Sequence, residues 1–192
     1  MFREMPDTAS NNEVFCRKVY PALSRIIPDG LWRTFMSKAV TPEELQALLR
    51  QGVSDFLLPP YTPELAGMEA HAFRIGQISD VPAVSDRLKV NPTLEVFQNS
   101  WRNLASLVDS FQEDRVLPEP SGETVMIWRL PPAGRIRAKA MTAEDLLVLK
   151  MALEELDVRE VARQGKIHEA AVQEAVVRAL DAGVLIGPRS GI

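Results

Sequence analysis

The side chains able to do chemistry are few and scattered. His71 and His168 are the only histidines, and Cys16 is the only cysteine, in 192 residues. A metal centre needs several ligands converging on one point. Glu69 and His71 lie two apart, so a helix would not put them on one face. His168 reads as a helix-start residue, and His71 as a surface or satisfied, partly buried one. Cys16 sits beside an apolar helical stripe with no histidine close in sequence to activate it, so it reads as a structural thiol. The chain has no glycine-rich phosphate loop and no Gly-x-Ser-x-Gly elbow. The carboxylate pairs Glu43-Glu44 and Glu154-Glu155 read as solvated helix ends or faces. These residues give no catalytic set, no metal site and no cofactor site, so function must be sought in binding surfaces.

One stretch offers such a surface. The apolar run Thr124-Val-Met-Ile-Trp-Arg-Leu130 leads through Pro131-Pro-Ala-Gly134 into the alternating run Arg135-Ile-Arg-Ala-Lys-Ala140. A period of two puts Arg135, Arg137 and Lys139 on one face and Ile136, Ala138 and Ala140 on the other. An edge strand of this kind can accept an added peptide strand through its main chain. The basic row would then favour acidic side chains on the peptide. Residues Arg135–Ala140 are therefore the candidate peptide-binding residues. A strand with a merely solvated basic face is the plainer alternative.

The elements that would position this strand can be read from period and punctuation. From Val14, the residues Phe15, Val19, Ala22, Leu23 and Ile26 form one helical face, ended by Pro28-Asp-Gly30. Trp32, Phe35, Met36 and Ala39 suggest a second short helix. Thr41-Pro-Glu-Glu44 is a capping box that opens a helix with Leu45, Leu48 and Leu49 buried and Gly52 as its stop. Leu58-Pro-Pro-Tyr-Thr-Pro63 is a rigid connector. Thr62 then caps a helix with Leu65, Met68, Ala72 and Ile75 on its apolar face and Gly76 at its end. Arg87–Val90 and Leu94–Phe97 read as short strands around Asn91-Pro92. Trp101, Leu104, Leu107, Val108 and Phe111 return to helical spacing. After the hairpin come three helical patterns. The first is capped by Thr142 with the stripe Leu146, Leu149, Leu153 and Leu156. The second opens at Asp157 with Glu160, and the third runs from about His168 to Ala182 with Gly183 as its cap. Val184–Ile186 suggests a last short strand, and the first seven to ten residues read as frayed.

This order predicts an α+β, mostly α chain. A helical N-terminal domain over 1–115 precedes a winged-helix-like C-terminal domain over 120–192 with a small antiparallel sheet. Leu117-Pro-Glu-Pro-Ser-Gly122 marks the boundary, and 87–97 is the candidate for an additional strand. Hydrophobic content of 46% and charged content of 25% suit a globular protein that needs no disulfide staple. A net charge of −4 gives no global attraction to nucleic acid or anionic membrane. No apolar stretch approaches the roughly 20 residues that span a bilayer, and the N-terminus lacks the apolar segment of a signal peptide. The chain reads as a cytoplasmic protein.

A winged helix can read DNA, so a DNA-binding transcriptional regulator is the competing class. Segment 121–192 carries ten basic and ten acidic residues, which is poor for a ligand bound mainly through its phosphates. Its third helix sets Glu169, Glu174 and Asp181 against Arg178 alone. Protein or peptide recognition is the better expectation, and a scaffold with no peptide substrate is a third class.

The ordered motifs also resemble a known family. Leu58-Pro-Pro-Tyr-Thr-Pro-Glu-Leu-Ala-Gly-Met-Glu69 resembles a Pro-x-x-Ala-x-x-Glu helix start, and Asn91-Pro-Thr-Leu94, Val125-Met-Ile-Trp-Arg129 and Asp145-Leu-Leu-Val-Leu-Lys150 follow in matching order. This set, covering most of the chain from about residue 40, is similar to a bacterial family described as DNA-binding proteins and encoded beside TIM-barrel, multinuclear non-haem iron enzymes. Its members include the C subunits of methanobactin biosynthesis and their thiaglutamate-biosynthesis relatives. The resemblance implies a non-catalytic subunit of a heterodimeric iron-dependent oxidase that modifies cysteine in a ribosomally made precursor peptide. The iron would belong to the partner subunit, and the leader peptide would add as a strand beside the C-terminal hairpin. Elements of that kind carry three strands before three helices, whereas two are clear after Gly122.

Overall fold

The computed structural model describes residues 8–39, 41–55, 57–79, 81–109, 116–131 and 134–188, the side chains of 8–13 apart. Of the seven to ten residues expected to fray, 1–7 lie outside them and 8–10 are helical; Phe111 in the 101–111 spacing and Pro132-Ala133 of the hairpin turn also lie outside. Nine helices and five strands occur among the described residues, an α+β and mostly α chain. They form two units, Met1–Arg74 and Ile75–Ile192.

In the first unit α1 (Thr8–Val19) and α2 (Leu23–Ile26) replace the single helix expected up to Ile26. Pro21 is the reason. It has no N–H, and its ring crowds the carbonyl four residues back, so the helix breaks and restarts. The break leaves two buried amides to satisfy. Ala22 N–H and Leu23 N–H donate to the two carboxylate oxygens of Glu69, at 2.5 and 3.0 Å. Glu69 comes from α5 (Thr62–Gly76) and is itself buried. The Pro-x-x-Ala-x-x-Glu pattern of the sequence thus ends in a side chain that closes a distant helix break.

Between them, α3 (Asp29–Lys38) buries Trp32, Phe35 and Met36. The capping box opens α4 (Pro42–Ser54) as expected, with Thr41 and Glu44 exchanging bonds with each other's backbone amides. The helix runs on past Gly52 to Ser54. A Cβ at Gly52 would lie 2.9 Å from Leu58 Cδ1 and 3.2 Å from Phe35 Cζ. That glycine serves close packing rather than termination.

The second unit carries two small antiparallel sheets. β1 (Lys89–Val90) pairs with β5 (Leu185–Ile186). The other sheet has the order β2 (Glu95–Asn99), β3 (Glu123–Leu130), β4 (Arg135–Ala140). Because β2 pairs with β3 over Glu95–Asn99 and Glu123–Ile127, the proline-rich stretch 117–122 lies inside this unit. It is a loop between paired strands and not a domain boundary. Three strands therefore precede α7 (Ala143–Glu154), α8 (Val158–Gly165) and α9 (Glu169–Asp181). The short α6 (Ala105–Val108) lies between β2 and β3 and packs on β4 and β3.

β3 is buried over Val125–Trp128. Met126 and Trp128 share a face and join the core formed with α7, α8 and α9, around Val148, Val172, Val176 and Val184. The Trp128 indole N–H donates to the Ala182 carbonyl at 3.0 Å, so its polar end is met where α9 stops. Gly183 follows at φ +70°, and a Cβ there would stand 2.6 Å from Leu130. Both the left-handed backbone and the tight contact demand glycine.

Asn91 holds these parts together. Its side-chain amide donates to the carbonyls of Arg129 (2.9 Å) and Gly183 (2.7 Å). Its oxygen accepts from the Thr93 amide (2.9 Å) and hydroxyl (2.7 Å). The Thr93 hydroxyl in turn accepts the Arg129 amide at 2.9 Å. Side chains thus continue the β2–β3 ladder past the end of β2. Asn91 has two donors and one acceptor oxygen with two lone pairs, and all are used.

Replacing Glu69 with Ala leaves two buried amides without an acceptor, and the unfolding free energy should fall by about 2–4 kcal/mol. Glu69→Gln, which keeps one carbonyl oxygen, should lose less. Asn91→Ala should cost a similar amount through the second unit. Urea unfolding of the full chain measures all three, and no change in the midpoint would contradict these assignments.

Candidate functional site

Arg135–Ala140 forms β4, and its alternation is real. Register sets Arg135 opposite Leu130, Arg137 opposite Trp128 and Lys139 opposite Met126. Opposite residues share a face, so the basic row stands on the face that packs against the helices. Two of its charges, Arg137 and Lys139, are engaged there. Lys139 Nζ lies 2.7 Å from Asp145 Oδ1. Arg137 Nε donates to Asp109 Oδ2 at 3.1 Å, and its guanidinium sits over the Trp128 ring at 6.0 Å from the centroid. Arg137 and Lys139, while still partly exposed, are thus ion-paired within their own unit.

Asp109 does a second job. Its Oδ2 also accepts the Ala138 amide at 2.9 Å. The Ala138 N–H therefore points away from β3, and its acceptor is the residue that ends α6. The centre of β4's outer edge is occupied by the chain itself.

This bond fixes the parity of the sheet. In an antiparallel pair, residues alternate between exchanging ladder bonds and pointing their N–H and C=O groups outward. Ala138 faces outward, while the Met141 amide donates inward to the Thr124 carbonyl at 2.7 Å. Thr124, Met126 and Trp128 consequently bond toward β4, and Val125 and Ile127 bond toward β2. Val96 stands opposite Met126 and Gln98 opposite Thr124. Their main-chain N–H and C=O groups must then point away from β3. Among the described residues no strand pairs with that side of β2.

Beside this edge the packing of α7 departs from expectation. The stripe Leu146, Leu149, Leu153, Leu156 was to be its buried face. The buried residues are instead Asp145, Val148, Leu149, Met151 and Ala152. Leu146 is 58% exposed and Leu153 72%. The cause is the cap. Asp145 is drawn inward, its carboxylate bonding the Thr142 amide and hydroxyl and the Lys139 ammonium. That rotates the helix so that Leu146 and Leu153 face out. Together with the half-exposed Val96, and with Met141 and Leu149, they line a groove of about 430 Å³ between α7 and the β2 side of the sheet.

The first unit has a cavity of its own, about 630 Å³, among α1, α3, α4 and α5. Cys16, Tyr20, Met36, His71 and Phe73 are among its lining residues. Burial pushes the Cys16 thiol up, so the protonated form prevails at neutral pH and the thiol is a poor nucleophile. Burial, with the anionic forms of Cys16, Glu69 and Glu43 nearby, carries the Tyr20 phenol to about 12. His71 Nδ1 lies 3.2 Å from the Arg74 guanidinium. His168 is the N-cap residue of α9 but makes no side-chain cap bond. Among the described residues no group of three or more His, Cys, Asp or Glu side chains is placed to hold a metal ion. No helix there is long and apolar enough to cross a membrane.

Asp145 gives a pH test. Burial raises its pKa, but the Lys139 ammonium and the Thr142 bonds outweigh this and hold it below the ordinary aspartate value. A lowered folded pKa means that the ionised carboxylate stabilises the fold above the unfolded pKa. That contribution is lost as pH falls through the folded value. Asp145→Asn should cost about 1–3 kcal/mol at pH 7, and the gap to the parent should narrow as pH drops below about 4. Urea midpoints at pH 7, 5 and 3 measure this, and a gap independent of pH would refute it.

No family model matches the chain, and no curated protein matches its sequence.

Proposed function

We propose that the chain is a non-catalytic subunit that presents an extended peptide to a partner enzyme. The partner is a TIM-barrel, multinuclear non-haem iron oxidase, and the substrate is a ribosomally made precursor peptide modified at cysteine, as in methanobactin-type biosynthesis. The leader part of that peptide would add as a strand to the sheet of the second unit. The helical first unit would dock on the enzyme, which carries the iron, and the chain would work in the cytoplasm.

The observation that carries this reading is the order of three antiparallel strands followed by three helices, with no strand paired to the outer edge of β2 among the described residues. It is the arrangement expected of a peptide-recognition element, and β2 supplies the strand that the sequence left uncertain. The ordered motifs add support, because two of them occupy structural junctions: Glu69 at the helix break and Asn91 between β3 and the end of α9.

The regulator reading fares worse. A recognition helix needs basic groups free to meet phosphate. On α9, Arg178 is already held by Glu144 at 2.9 and 3.0 Å and faces Glu174 at 3.6 Å.

Co-expression with a TIM-barrel, multinuclear iron enzyme of the proposed class, affinity purification and metal analysis test the proposal. The expected result is a stoichiometric complex containing iron. A chain that purifies alone, without iron, and shifts DNA in a salt-dependent way would overturn it in favour of a regulator.

A further inference from the structure

Both edges of the three-stranded sheet could in principle take a peptide strand, and the geometry separates them. The outer edge of β4 has α6 packed against it and its central amide, on Ala138, bonded to Asp109. A peptide adding there would first have to displace a buried carboxylate from an amide and an arginine. The outer edge of β2 presents the main-chain groups of Val96 and Gln98, two donors and two acceptors. An edge of unpaired donors and acceptors is a template for another extended chain.

The side-chain surface next to it completes the site. Val96 points to the face on which α7 lies, because it stands opposite Met126 of the core. Along α7, Leu146 and Leu153 are seven residues apart and both exposed, and Leu149 lies between them. A strand added beyond β2 would direct every second side chain onto this row, at about 6.8 Å spacing. Lys150 and Glu154 stand together at the rim as an ion pair, 3.9 Å apart, so the groove carries no net charge there.

We infer that the edge of β2 at Val96–Gln98, with the α7 groove, is the peptide-accepting site. Its ligand is a short extended segment with apolar residues at alternate positions. This rests on the peptide-presenting reading above and moves the accepting strand from β4 to β2. The size of the patch argues for a peptide over a second copy of the chain. Eight residues line the groove, against about 20–30 on each side of a stable protein interface. The β2 edge turns only two residues outward.

The test uses the full chain, labelled with nitrogen-15. The probe is an end-capped seven-residue peptide that alternates leucine with threonine. On titration, the amides of Val96 and Gln98 should shift and gain protection from exchange. Leu153→Glu and Leu146→Lys lie at exposed positions that leave the fold intact, and each should weaken binding at least tenfold. A probe N-methylated at alternate amides should not bind, because main-chain pairing carries the affinity. Shifts centred on Arg135–Ala140 would overturn the β2 assignment while leaving peptide presentation standing. Binding that survives both leucine substitutions, or no binding by the parent chain, would overturn the site itself. The iron-containing complex is assayed separately, so it can persist through either result. A dimer in light scattering that Leu153→Glu dissolves would assign the edge to a second copy, and would equally overturn the inference.

Discussion

The second unit depends on one buried amide. Asn91 meets two carbonyls that belong to elements far apart in sequence, one on β3 and one in the turn after α9. Without it, the end of the helical part would be held to β3 by the Trp128–Ala182 bond and apolar packing, beside the two-stranded β1–β5 pairing. Such a pairing is only two residues long, and short isolated ladders are marginal in water. A fully satisfied polar side chain in that place supplies directional bonds where apolar packing would tolerate sliding. The fixed register of β2 against β3, and with it the identity of the outward-facing residues, follows from that anchoring.

The same device recurs at three other places in the chain. Glu69 satisfies amides freed by Pro21, Asp109 satisfies the central amide of β4, and Asp145 satisfies the start of α7. Each is a buried carboxylate aimed at backbone N–H groups. Buried backbone donors must find acceptors, and this chain uses charged side chains from elsewhere to supply them. Carboxylates that might have been read as acid–base chemistry are thereby committed to structure.

Much of this was legible in the sequence where the signal is local. The capping boxes at Thr41 and Thr142, the hairpin strands, the ends of α5, α8 and α9 and the α+β class all follow from short-range chemistry. What could not be read depends on partners distant in sequence. Pro21 breaks a helix whose apolar stripe runs straight through it. Gly52 reads as a stop signal until Phe35 and Leu58 are seen against it. The stripe on α7 misled for the same reason, since an apolar period shows that a face exists but not that another element covers it. The basic alternation of β4 likewise gave the strand correctly and its surroundings incorrectly, because Asp109 and Asp145 are invisible at the level of pattern. The pairing that places β2 beside β3 spans a loop whose prolines resemble a linker. The groove is therefore the part of the candidate site that no local rule could have located.

An edge that welcomes one extended chain is open to any other, including an unfolding neighbour. Sheet proteins limit this aggregation hazard by keeping such edges short or interrupted. Here β2 spans five residues. Pro92 stands before it without an amide to offer, and the Leu94 amide is already turned back onto the Asn91 carbonyl. The template is long enough for a few residues of peptide and too short to seed a growing sheet. Its brevity thus limits how far an unfolding neighbour could extend the sheet beside the exposed Leu146 and Leu153.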